Sequence, residues 1–235
     1  MSDITAPQPI GGRATQMVET PEEIAYEMRA AEGAVWIGSR LLLGIAAFAF
    51  ASLGFAFFYL RSINNADLWR PHGVTASEYF GVAVMVISLT ASGLSLYGTR
   101  RRRSGRALDG EVAGWMTLAA GGLGVGVQMW ELFELRFYPG SSGYASCFIA
   151  WAVLNMVLLL SGVYWTETML ARSLRIRRMA KPSGGPIPDG IATGGEMAAY
   201  PLSGRIQDIE VTAANHYWAF IGLVNLIFFL MFYVI

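Results

Sequence analysis

The strongest constraint in this sequence is a pair of long charge-free runs held apart by a short polar hairpin. Val112 to Trp130 gives 19 residues without a charge and Cys147 to Thr166 gives 20, each about the length a helix needs to cross a hydrocarbon core roughly 30 Å thick. Between them, Glu131 and Glu134 fall where the first run leaves the apolar layer, and Tyr138-Pro139-Gly140-Ser141-Ser142-Gly143 is turn chemistry. Lipid offers no hydrogen bonds, so a chain crossing it must satisfy its own N–H and C=O groups. The two runs therefore predict a helical hairpin that leaves the bilayer, turns and re-enters.

Three more runs extend the pattern. Leu41 to Leu60 is entered through Trp36 and Arg40 and left through Tyr59 and Arg61, Tyr79 to Thr99 follows a polar loop, and Tyr217 to Ile235 is announced by Asn215-His216-Tyr217-Trp218, read as interfacial. With 54% hydrophobic and 14% charged residues, the composition lies outside the range of soluble domains. The expected fold is an all-α integral membrane protein with five transmembrane helices, at about 41–60, 79–99, 112–130, 147–166 and 217–235. Zero net charge gives no pull toward nucleic acid, and one cysteine excludes an intrachain disulfide. Cys147 reads as a small apolar residue.

Met1 to Ala34 has no apolar core behind a basic start and reads as neither a secretory signal nor a transit peptide. Thr20-Pro21-Glu22-Glu23 opens a short helix, expected either at the membrane surface or docked on a partner subunit. Pro182 to Val211, with four of the nine prolines and six of the 27 glycines, reads as a flexible extramembrane loop within a connection at 171–211. Orientation follows from the basic residues. With the amino terminus in the cytoplasm, fourteen Lys and Arg lie inside, including Arg100 to Arg103, and only Arg61, Arg70 and Arg136 outside. The carboxyl end is then outside.

Candidates for chemistry are few. His72 and His216, expected at opposite faces, are too far apart to clasp one haem or metal. Gly121-Gly122-Leu123-Gly124-Val125-Gly126 sits inside an apolar helix, not after a strand, so Gly122 with Gly126 reads as a close helix contact, and the third and fourth spans as the main packing seam. Ser88-Leu89-Thr90 is expected to bond back to helix carbonyls. Asn155 reads as an interhelical hydrogen-bonding residue. For Glu131 and Glu134, three residues apart on one helix face, an ion pair with Arg136 or a bond to a neighbouring helix is the leading reading and a proton relay the alternative.

Several of these residues resemble subunit III of the haem-copper oxidases, the cytochrome c oxidase type, in its five-helix bacterial form. The resemblance covers about Trp36 to Ile235. Gln128-Met129-Trp130-Glu131 matches the family's Gln-x-x-Glu element, and Gly140 to Phe148 is similar to its Gly-Ser-x-Tyr-Gly-Ser-x-Phe run. His216-Tyr217-Trp218-Ala219-Phe220 is similar to Tyr-Tyr-Trp-His-Phe, and Ser88-Leu89-Thr90 to Ser-Ser-x-Thr. The chain departs from the family where Leu41 to Leu60 holds no glutamate, where Ala150 to Met156 holds no His-Gly-x-His, and where the last helix has neither its His nor its Asp. It resembles a divergent branch.

The resemblance implies a subunit without catalytic residues, cofactor or metal of its own, in a bacterial plasma membrane. It would pack on the catalytic subunit I, which holds the haems and copper, and on subunit II, and would bind membrane phospholipid. Packing or interface candidates are Gly122, Gly126, Gln128, Glu131, Glu134, Asn155, Tyr217 and Trp218. A nitric oxide reductase subunit is the runner-up within the family. A small membrane transporter subunit is the alternative outside it, although the spans show no internal repeat and no Pro or Gly-Pro break.

Overall fold

A computed structural model describes residues 21–64, 66–180 and 201–235. The segment 1–20 and most of the expected loop after Lys181 lie outside the described residues. Every regular element described is helical: α1 Pro21–Ile63, the single turn α2 Ala66–Trp69, α3 Glu78–Arg103, α4 Ala107–Glu134, α5 Gly143–Ala180 and α6 Pro201–Phe229, which passes into a π turn at Leu230–Val234. Five of these helices are long and apolar enough to cross a membrane. The chain is an all-α, multi-pass membrane protein.

The helices outrun the charge-free windows. Among the described residues no separate surface helix precedes the first span, because α1 is continuous over 43 residues, a rod about 65 Å long where about 30 Å suffices to cross. Leaving the apolar layer at Arg40 does not end a helix. Only a missing donor, a strained residue or a competing cap does, and Gly33 and Gly38 are none of these. For the same reason Pro201 to Val211, expected in a loop, belongs to α6.

Where helices do stop, the sequence carries the stop. At the end of α3, Gly105 takes a φ of +81°, the Gly105 N–H bonds Arg102 O at 3.0 Å and the Arg106 N–H bonds Arg101 O at 3.0 Å. That is a Schellman closure around a residue without a Cβ, and it turns the chain within three residues into α4. At the start of α5 the Ser142 hydroxyl accepts the Ala145 N–H at 3.1 Å, capping one of the free amides of the first turn.

The α3–α4 hairpin is the most extensive helix pairing, and α6 runs between α3, α5 and α1. The main seam is therefore α3–α4, not the pairing of the third and fourth spans. In lipid no hydrophobic force drives helices together, so closeness of approach decides. Gly98 and Gly110 supply it between α3 and α4, where a Cβ on Gly98 would stand 3.0 Å from the Ala113 Cβ and 3.3 Å from Gly110 O. Gly121 does the same toward α5 and α6, where a Cβ would stand 2.5 Å from the Trp218 ring and 2.9 Å from Val163. Gly122 and Gly126, expected to form the close contact, have no described residue within 4 Å of the same position and face outward. The spacing identifies a small-residue helix but not which of its sides meets Trp218.

Candidate functional site

Two polar regions lie at opposite ends of the bundle. At the arginine-rich end, the basic last turn of α3, a placement favoured by the helix dipole, and Arg172 of α5 face α6. Arg172 bonds both Glu210 oxygens at 2.6 Å, and Arg103 donates to the Thr212 hydroxyl at 3.0 Å. Arg102 lies close enough to Glu111 of α4 and Asp208 of α6 to interact with both charges. A cavity of about 50 Å³, lined by Gly98, Arg102, Thr117, Thr166 and Trp218 among others, opens behind this collar. It has room for a few waters.

The other region is deeper and almost free of charge. Gln128, Glu131, Asn155 and Asn225 are each at most 1% exposed. They form one unbroken ladder across three helices. Asn225 Nδ2 donates to Asn155 Oδ1 at 3.0 Å, and Asn155 Nδ2 donates back to Asn225 Oδ1 at 2.9 Å and on to Gln128 Oε1 at 2.9 Å. Gln128 Nε2 then donates to Glu131 Oε2 at 2.6 Å, and the Tyr233 hydroxyl closes the ladder on Glu131 Oε1. Each of these groups would cost several kcal/mol left unpaired in a dry interior.

Local structure aims every member. Gln128 and Glu131 stand three residues apart on α4, which puts both on one side of the helix. Tyr233 belongs to the π turn, whose extra residue swings the ring over Gly81, where a Cβ would come within 2.5 Å of it. Around this end Phe57, Trp69, Tyr144, Phe148, Trp151, Phe228 and Phe232 pack with ring centroids 4.9–6.2 Å apart, geometries that each add to the burial of the rings.

Of the residues expected to matter, Gln128, Glu131 and Asn155 come together, Asn155 as the interhelical donor anticipated. Glu134 does not join them. It sits exposed one turn on and accepts the Trp130 Nε1–H at 3.2 Å. Neither glutamate pairs with Arg136, because Glu131 points inward to its neighbouring helix. Tyr217 and Trp218, expected at the interface, are inside the bundle. The Tyr217 hydroxyl donates to Leu158 O at 3.1 Å, and Trp218 Nε1 donates to Thr166 Oγ1 at 3.0 Å. They lie there because α6 starts well before them. Thr90 bonds back to Val86 O at 2.8 Å as expected, whereas the buried Ser88 hydroxyl has no hydrogen-bond partner among the described residues.

Two ladder residues escaped sequence reading. Asn225 carries the same signal as Asn155, an amide in an apolar run. Tyr233 carries none, since a helix of ordinary pitch would point it elsewhere. Among the described residues no three or more His, Cys, Asp or Glu gather as a metal-ligand set, and both His72 and His216 are exposed. No protein-family model and no curated protein sequence matches this chain.

Proposed function

We propose that this chain is an accessory subunit of a respiratory haem-copper terminal oxidase, related to subunit III of the cytochrome c oxidase type. In that reading it serves a bacterial plasma membrane, packs on a catalytic subunit I that holds the haems and copper and on subunit II, and holds phospholipid at its flanks. It supports aerobic electron transfer and proton translocation without catalytic residues, cofactor or metal of its own.

One observation supports the reading above the others. The residues that carry the resemblance come from four separate stretches, and every stretch buries at least one of them. Ser88, Gln128, Glu131, Tyr144, Phe148, Tyr217 and Trp218 are all at most 2% exposed and lie in the bundle interior. Short motifs that matched by chance would have no reason all to reach the interior. The open faces of Gly122 and Gly126 on α4 then offer a partner helix a close seat.

The test is purification of the tagged full chain in mild detergent, with mass spectrometry of co-purifying chains and a visible spectrum of the eluate. The expected result is a larger partner with a reducible haem spectrum in stoichiometric amount. A chain recovered alone from membranes that do contain such an oxidase overturns the proposal. A partner that reduces nitric oxide instead selects the runner-up.

A further inference from the structure

The geometry points to a one-proton exchange site at the end of the buried ladder, shared between the Glu131 carboxyl and the Tyr233 hydroxyl. It stands on this chain alone and does not depend on the oxidase reading.

Hydrogen-bond polarity locates it. Asn225 Nδ2 spends its two hydrogens on Ile221 O at 2.9 Å and on Asn155 Oδ1. Asn155 Nδ2 spends its two on Asn225 Oδ1 and Gln128 Oε1. With its oxygen so engaged, Gln128 must present Nε2 to Glu131. Turning any one amide over would set carbonyl against carbonyl or N–H against N–H, so both hydrogens of each asparagine amide and one of Gln128 Nε2 are assigned, and Glu131 Oε2 is an acceptor. One direction stays free. Between Glu131 Oε1 and Tyr233 either the phenol donates to a carboxylate or a carboxylic acid donates to the phenol oxygen.

Charge distinguishes the two states. A carboxylate here is a buried anion with no cation paired to it among the described residues, which is costly unless a proton joins it. From the π turn it faces Tyr233. From α5 it faces Tyr144, whose hydroxyl is committed to Phe232 O at 3.2 Å and whose ring carries the Arg70 guanidinium at 4.7 Å. Tyr233 itself lies against Gly81 of α3, and the next carboxylate along α4 is the exposed Glu134. Uptake is therefore carboxylate plus one proton giving the acid, and release is the reverse, with no electron moved. Neutral amides do not pass protons on, so the ladder is an anchor, not a wire. Exchange runs through Tyr233, the only partly exposed member.

Dicyclohexylcarbodiimide, an apolar reagent that adds to protonated carboxyl groups, tests this on the full chain in native membranes, with adducts located by peptide mass spectrometry. Glu131 should be labelled, and labelling should fall about tenfold per pH unit once the acid is mostly ionised. Glu111, also buried but beside Arg102, should stay unlabelled, as should the exposed Glu134. Tyr233→Phe keeps the carboxyl and removes its partner, so it should shift the pH midpoint of labelling. Glu131→Gln should abolish both the adduct and an infrared protonated-carboxyl band. Failure of Glu131 to label at any pH where the bundle stays folded overturns the proposal. So does equal labelling of Glu111, which would mean that the reagent reads burial and not the missing cation, or a Tyr233→Phe midpoint that does not move.

Discussion

The two ends of α4 bury a glutamate each and treat it in opposite ways. Glu111 lies at the arginine-rich end, beside Arg102, where α3, α5 and α6 meet through charge. Glu131 lies at the other end, held only by a phenol and an amide. A carboxylate beside a guanidinium is matched by charge, which asks little direction of its neighbours. A carboxylate answered by neutral donors commits the whole environment to particular directions of donation. The arginine-rich end is therefore replaceable charge by charge, and the ladder end only as a unit.

The largest effect should come from breaking the ladder at its hub. Asn155→Leu leaves Gln128 Oε1 and Asn225 Oδ1 without donors, and each orphan costs about 1–3 kcal/mol. Part is regained because helices separated in the membrane find other partners. We expect a net loss of about 2–4 kcal/mol in detergent unfolding, with no dependence on salt. A loss that shrinks as salt rises would mean that this end too is held by charge.

Gly81→Val should come next. The added methyls would enter the space of the Tyr233 ring, an overpacking that costs about 1–3 kcal/mol. The diagnostic is the pairing with Tyr233→Ala. If the ring is the obstacle, the double variant should recover much of the loss of Gly81→Val, and additive losses would place the strain elsewhere.

At the arginine-rich end, Arg172→Gln should cost less than about 1 kcal/mol, because the guanidinium is half exposed and one nitrogen serves both Glu210 oxygens. Unlike the ladder variants, it should lose its effect in molar salt. A loss above about 2 kcal/mol that persists in salt would reverse the contrast between the ends.

The comparison also shows what a sequence can and cannot display. Five spans were legible because about 20 residues without charge admit almost one structure in lipid. Gln128, Glu131 and Asn155 were legible because a polar group inside such a run must find a partner. The partner was not, since Tyr233 reaches Glu131 only through the π turn and over Gly81. The reach of α1 and α6 beyond the membrane was hidden for a different reason. Hydropathy marks where lipid ends, not where helical hydrogen bonding ends.

The smallest effect separates contacts within the chain from contacts beyond it. Gly122 lies between the two ends of α4, on the side where no described residue comes within 4 Å of an added Cβ, while Gly121 beside it is packed on Trp218. For the isolated chain Gly122→Leu should change stability by less than about 0.5 kcal/mol, since the leucine meets lipid as readily as glycine does. Unfolding of the purified protein measures this directly. In membranes holding a partner helix on that face, the same leucine would keep the backbones apart, so recovery of the partner should fall while stability stays level. If stability falls by more than about 1 kcal/mol, the side of α4 facing this chain extends further round than Trp218, and the glycine belongs to the same interior as the ladder.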